Sequence, residues 1–126
     1  MKLHADKPDQ VSVTAYGDGW IAINGERHTT SLVLGATGSV GAWGVNRFEE
    51  LNEQHFASLI QDGEPAPELV ILGSGSRLRF VAPGLLRALI ERRIGVETMD
   101  TAAACRTFNI LAGEGRRVVA VLLIEA

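Results

Sequence analysis

The sequence predicts a single α/β domain. An N-terminal antiparallel meander precedes a C-terminal βαβαβ unit, and the two join in a mixed sheet with helices packed on it. Three observations carry this. Residues 11–34 alternate apolar and polar side chains between turn dipeptides. Leu69-Val70-Ile71-Leu72 is a continuous apolar run, as expected of a strand covered on both faces. Beyond it, helical patterns and apolar runs alternate to Ile124, the signature of parallel strands joined by helices.

In chain order, Val11, Val13 and Ala15 alternate with Ser12, Thr14 and Tyr16 to give the first strand. Gly17-Asp18-Gly19 supplies a turn, and Trp20 to Ile23 completes a hairpin. Asn24-Gly25 marks the next turn, and His28 to Leu34 reads as the third strand. Four glycines between Gly35 and Val45 predict a loop with a short strand near Val40 to Val45. Asn52 is placed to cap a helix, with Glu53 in its first turn and Leu51 and Phe56 spaced for a hydrophobic staple. Phe56, Leu59 and Ile60 form its buried face, and residues 62–67 form a polar link.

Pro83 suits a first helical turn, after which Leu85, Leu86, Leu89 and Ile90 line one side. Gly95 leads into a strand over Val96 to Met99. A helix follows over Thr101 to Gly113, terminated by Gly113 and Gly115, and Val118 to Ile124 forms the last strand. Both crossovers are expected to be right-handed.

At 126 residues the chain fits one domain, with residues 1–9 expected to be frayed. The lone Cys105 cannot form an internal disulfide, which suits a reducing compartment. Residues 1–10 lack the apolar core of a signal peptide, and no apolar run approaches the roughly 20 residues that span a bilayer. A cytoplasmic location is therefore expected, with no transmembrane segment. A net charge of −3 argues against a nucleic-acid partner. The charge is uneven: residues 1–68 carry −6, and residues 69–126 carry +3 with every basic residue an arginine. The halves can neutralise one another within the fold or across a homodimer, or the arginines can serve an anion site.

Gly73-Ser74-Gly75-Ser76-Arg77 follows the buried run directly. Glycine amides and serine hydroxyls suit an anion, and Arg77 or Arg79 can add charge; equally, the segment is a tight turn. Leu78 stands where a dinucleotide fingerprint needs its third glycine, and no lysine completes a phosphate loop. The other glycine-rich stretch, residues 35–41, reads as a connector. Asp100 and Thr101 occupy capping positions at the next strand-to-helix turn. Arg106 and Asn109 share the polar side of that helix, and Cys105 sits at the margin of its apolar face. The candidate pocket is thus Gly73, Ser74, Gly75, Ser76, Arg77, Asp100, Thr101, Arg106 and Asn109, at the strand ends where α/β proteins bind ligands. Cys105 is a candidate thiol but lacks an evident histidine partner, so a small buried cysteine is the favoured reading. No residue spacing suggests a metal site, and no cofactor is indicated.

Four segments, Leu72 to Phe80, Gly95 to Glu97, Met99 to Leu111 and Glu114 to Val118, together resemble the Mth-nine-three-eight-like domain family. The most specific part is Asp100-Thr101 followed by Cys105-Arg106-Thr107 and Asn109. The resemblance covers about residues 10–124. It implies a compact α/β fold with a mixed sheet, and no established enzyme activity or cofactor. Eukaryotic relatives include a mitochondrial assembly factor for respiratory complex I and an adipogenesis-associated protein. By that analogy the chain is expected to be a non-enzymatic binding or assembly accessory protein with a protein partner. The alternative is a small-molecule or anion-binding domain with its pocket at the C-terminal ends of the parallel strands, for example for a small anionic ligand, and thiol chemistry at Cys105 ranks third. Ala82 replaces a serine common in the family, and Arg93 a common glycine.

Overall fold

The computed structural model describes residues 11–35, 38–61, 63 and 65–125. The expected fraying of residues 1–9 lies outside them. Among the described residues, eight strands form two sheets. β1 (Val13–Gly17), β2 (Trp20–Ile23) and β3 (Glu26–His28) make an antiparallel meander. β4 (Leu32–Gly35), β5 (Val40–Ala42), β6 (Leu69–Gly73), β7 (Gly95–Met99) and β8 (Val118–Leu122) form a mixed sheet in the order β5-β4-β8-β6-β7. β6 runs parallel to both β7 and β8, whereas β4 is antiparallel to β8 and β5. The α/β class, the meander and the parallel βαβαβ part are those expected, but the meander is a sheet of its own and does not join the mixed sheet.

The stretch read as one strand from His28 to Leu34 is two strands in two sheets. Ser31 makes the break. It is fully buried, its amide donates to Asn46 Oδ1 (2.8 Å), and its hydroxyl accepts from the Ile124 amide (2.9 Å). β3 stays with β2, while Leu32 pairs with Leu122 across the larger sheet. Alternation alone reports side-chain facing and not the pairing partner.

Each face of the larger sheet has its own core. On one, Leu34, Ile71, Ala120 and Leu122 pack against Val13, Ile21 and Ile23 of the meander and against Ala104, Cys105, Phe108 and Ala112 of α3 (Thr101–Gly113). On the other, Val70, Leu72 and Val121 pack against Trp43, Phe56 of α1 (Glu53–Ala57) and Leu89 of α2 (Arg87–Glu91). Asn52 caps α1 as expected. The cap is reciprocal, because His55 Nδ1 accepts from the Asn52 amide (3.0 Å) while Asn52 Oδ1 accepts from the His55 amide (3.2 Å).

Ile90 departs from the expected buried stripe and is 56% exposed. A 3₁₀ turn over Pro83–Leu86 precedes α2. Its three residues per turn shift the phase of a 3.6-residue wheel, so Leu89 turns inward and Ile90 outward.

Candidate functional site

β6 and β7 are parallel neighbours, so their exit turns lie side by side. Gly73 permits this closeness. A Cβ there would stand 3.1 Å from Ala104 Cβ, Leu122 Cδ2 and Thr101 Cα. The amide of Ser74 donates to the Met99 carbonyl (2.8 Å), and the amide of Thr101 donates to the Gly75 carbonyl (2.8 Å). The Thr101 hydroxyl accepts from the Gly75 amide (2.8 Å) and donates to the Leu123 carbonyl (2.9 Å). One side chain thereby ties the loop after β6, the start of α3 and the end of β8. Asp100 caps α3, accepting from the Ala103 amide (2.8 Å).

Ser74 is fully buried and organises its own loop. Its hydroxyl donates to the Arg77 carbonyl (2.8 Å) and accepts from the Arg79 amide (3.0 Å). The Ser74 carbonyl accepts from Arg79 Nε (3.1 Å) and Nη2 (2.6 Å). The guanidinium continues to Glu125 Oε1 and lies 4.5 Å over the Phe48 ring. Glu125 Oε2 accepts from the Phe48 amide (2.8 Å). Burial works to raise the Glu125 carboxyl, but the Phe48 amide and Arg79 outweigh it and hold the group below the usual carboxylate range.

A hollow of about 320 Å³ opens beside these turns. Gly75, Ser76, Asp100 and Thr101 line it from the larger sheet, Tyr16, Asp18 and Trp20 from the meander, and Glu125 from the segment after β8. Of the candidate pocket residues, Gly75, Ser76, Asp100 and Thr101 line the hollow, while Gly73 and the buried Ser74 belong to the same turns but do not line it. Arg77, Arg106 and Asn109 do not line the hollow. Arg77 is exposed. Arg106 donates to Tyr16 Oη at the rim (2.7 Å), a bond that raises the guanidinium pKa. Asn109 receives the Val13 amide (2.9 Å) and donates to the Val13 carbonyl (2.8 Å), clamping β1 onto α3. The charged lining side chains are the carboxylates of Asp18, Asp100 and Glu125. Several loop donors suited to an anion are already engaged within the protein.

Cys105 is fully buried, and burial pushes its thiol up to about 12, against a smaller opposing effect from Arg106. At neutral pH the sulfur is a thiol packed in the core and not a thiolate.

Arg79, Glu125 and Tyr16 are central to this end of the molecule. Arg79 had a sequence signal as a possible charge near the glycine loop. Glu125 had none, because its partner lies 46 positions away. A second hollow, about 450 Å³, opens at the opposite end of the sheet between Val33, Trp43, Leu59, Pro67 and Arg117.

Residues 13–123 match the model of a family described as a protein of unknown function (DUF498/DUF598). The chain is 36% identical over 121 residues to the Bos taurus protein named NADH dehydrogenase [ubiquinone] 1 alpha subcomplex assembly factor 3, covering 96% of this chain and 65% of that one. It thus spans somewhat under two thirds of that relative's length. A crystal structure of a Bordetella parapertussis protein is 38% identical, with a TM-score of 0.85 over 95% of this chain and 100% of the other. An NMR structure of a Bordetella pertussis protein, described as a Mth938-like domain, is 37% identical, with a TM-score of 0.79 over 100% and 94%.

Proposed function

The chain belongs to the DUF498/DUF598 family, and on that premise we propose that it is a non-enzymatic accessory protein in the assembly of a respiratory complex. The observation that carries the proposal is an alignment over 96% of the chain to a relative named as a complex I assembly factor. The alignment takes in both cores and the pinned loops, so the part held in common is a whole domain and not one motif. In this reading the domain contributes a rigid surface. The Thr101, Ser74 and Arg79 bonds fix the strand-end loops before any partner arrives, which lowers the ordering cost of association.

The test is deletion of the gene in its host, with the amount of assembled NADH-oxidising complex read on native gels and by activity. Deletion is expected to lower assembled complex while subunit synthesis continues, and the intact chain is expected to restore it. Unchanged assembly in the deletion strain would end the proposal.

A second reading, small-molecule binding, rests on the hollow beside Gly75 and Thr101. Its lining holds no basic side chain, and of its carboxylates Asp100 caps α3 and Glu125 pairs with Arg79, so the hollow itself offers no positive charge to an anion. Thermal melts with amines, nucleotides, phosphorylated metabolites and dicarboxylates separate the cases. A ligand at a hundred times its dissociation constant adds about 2.7 kcal/mol, and a flat response across all classes removes this reading.

A further inference from the structure

The crossover from β6 to β7 has an unusual outer surface. No aspartate or glutamate occurs between Glu68 and Glu91, whereas arginines stand at 77, 79 and 87. Arg79 is turned inward onto Ser74 and Glu125, and Val81 beside it packs against the core. Leu78 and Phe80, on either side of Arg79, are 52% and 71% exposed. Further along, Arg87 and Ile90 are three residues apart on α2, and both are exposed.

The guanidiniums of Arg77, Arg87, Arg92 and Arg93 meet no carboxylate among the described residues. Arg93 also holds a left-handed backbone (φ 59°) that glycine adopts more readily. Exposed apolar side chains interleaved with unpaired arginines are the composition of a binding surface, where aromatic residues and arginine carry most of the energy.

Charge complementarity selects the occupant. Planar guanidiniums pair two-pronged with carboxylates. Four exposed guanidiniums with no carboxylate opposite them leave a local positive charge for an acidic occupant to meet. Resting on the assembly reading above, we infer that the outer surface of this crossover, centred on Leu78, Phe80 and Ile90 with Arg77, Arg87 and Arg93, docks an acidic segment of a partner protein that also carries apolar side chains.

The experiment is photo-crosslinking of the full chain in its native host, with Phe80→p-benzoylphenylalanine and, as a reference on another face, Ile110→p-benzoylphenylalanine. Ile110 is 61% exposed on α3. Position 80 is expected to yield an adduct mapping to a net-negative segment with apolar residues, absent from position 110. Arg77→Glu with Arg87→Glu should lower its yield about tenfold or more. Should that double variant fail to fold, loss of the adduct with rising salt serves in its place. The inference is overturned by no adduct, an adduct shared with position 110, an adduct to lipid or nucleic acid, a segment without acidic character, or indifference to both charge reversal and salt. An acidic partner unrelated to respiration would keep this inference and sink the assembly reading. Impaired assembly in the deletion strain with a non-acidic contact at position 80 would do the reverse.

Discussion

The two crossovers of the parallel sheet share a topology and differ in construction. The one from β7 to β8 enters its helix within a single residue, runs thirteen residues of α3 and buries Ala104, Cys105, Phe108 and Ala112. The one from β6 to β7 has a nine-residue loop, a 3₁₀ turn and only five residues of α2, with Leu89 as the buried position of that helix. Even their helix ends match. After α3, the Arg116 amide bonds to the Leu111 carbonyl and the Gly115 amide to the Ala112 carbonyl. After α2, the Ile94 amide bonds to the Leu89 carbonyl and the Arg93 amide to the Ile90 carbonyl. Both are Schellman caps, with the left-handed position filled by glycine in one (φ 81°) and arginine in the other (φ 59°). Local stability is concentrated in the second crossover, and exposed apolar and basic side chains in the first. A scaffold and a presenting surface are thus built from one motif.

Breaking the scaffold side should give the largest effect. Phe108 is fully buried, and Phe108→Ala removes a ring from the core shared by α3, the meander and the larger sheet. A loss of about 3–5 kcal/mol is expected in urea or thermal unfolding. Thr101→Val keeps the side-chain shape but strips the Gly75 amide and the Leu123 carbonyl of their partner. It should cost about 1–3 kcal/mol, and the amide of Gly75 should lose protection from hydrogen exchange. A change of Tm without loss of protection at Gly75 would mean that the clamp is not at this residue.

Acid should act where the first crossover, through Arg79, meets the segment after β8. Glu125 has a depressed carboxyl pKa in the folded state, held by the Phe48 amide and Arg79 against the effect of burial. A depressed pKa contributes stability above the unfolded carboxylate value, about 4.3, and that stability is lost as pH falls through the folded value. Glu125→Gln is therefore expected to flatten the acid limb of the stability profile while leaving its alkaline side parallel to wild type. Partial exposure to solvent keeps this effect below that of Thr101. An acid limb of unchanged steepness would assign acid sensitivity to other carboxylates.

The asymmetry between the crossovers explains what was legible in the sequence. The bounds of α3, Thr101–Gly113, coincide with those read from its capping residues and glycines. That element is long, periodic and punctuated at both ends. The shorter elements carried less information. The 3₁₀ turn before α2 is invisible to a 3.6-residue wheel, and Ile90 was misplaced for that reason. The break at Ser31 depends on Asn46 and Ile124, neither of them a sequence neighbour. At the strand ends, Asp100 and Thr101 announced themselves as capping types, and Gly73 and Gly75 as loop glycines. The roles of Arg106 and Asn109 could not be read, because each is fixed by a residue of the meander at least 90 positions away. Helical phase says that a side chain is polar-facing, but only tertiary structure says what meets it.

Exchanging the residues at the two caps sharpens the comparison at smaller amplitude. Arg93→Gly should relieve the left-handed backbone and stabilise by about 1 kcal/mol or less, because glycine's freedom in the unfolded chain offsets part of the gain. Gly115→Arg should cost a similar amount. If the arginine is retained for contact and not for stability, Arg93→Gly will also be the variant that gains in Tm while weakening the position-80 adduct. A gain in Tm with the adduct intact would remove Arg93 from the docking surface.

The smallest effect is the most discriminating. Phe80 is a large aromatic at 71% exposure, so Phe80→Ser should shift unfolding free energy by no more than about 0.5 kcal/mol. The same change in the opposite crossover, at Phe108, would remove most of the fold's margin. Two phenylalanines in equivalent crossovers of one sheet thus predict opposite outcomes: collapse without a partner for one, and an intact fold with lost association for the other. A Phe80→Ser protein that melts several degrees low would place the ring in a structural role, and the division of labour between the two crossovers would fail with it.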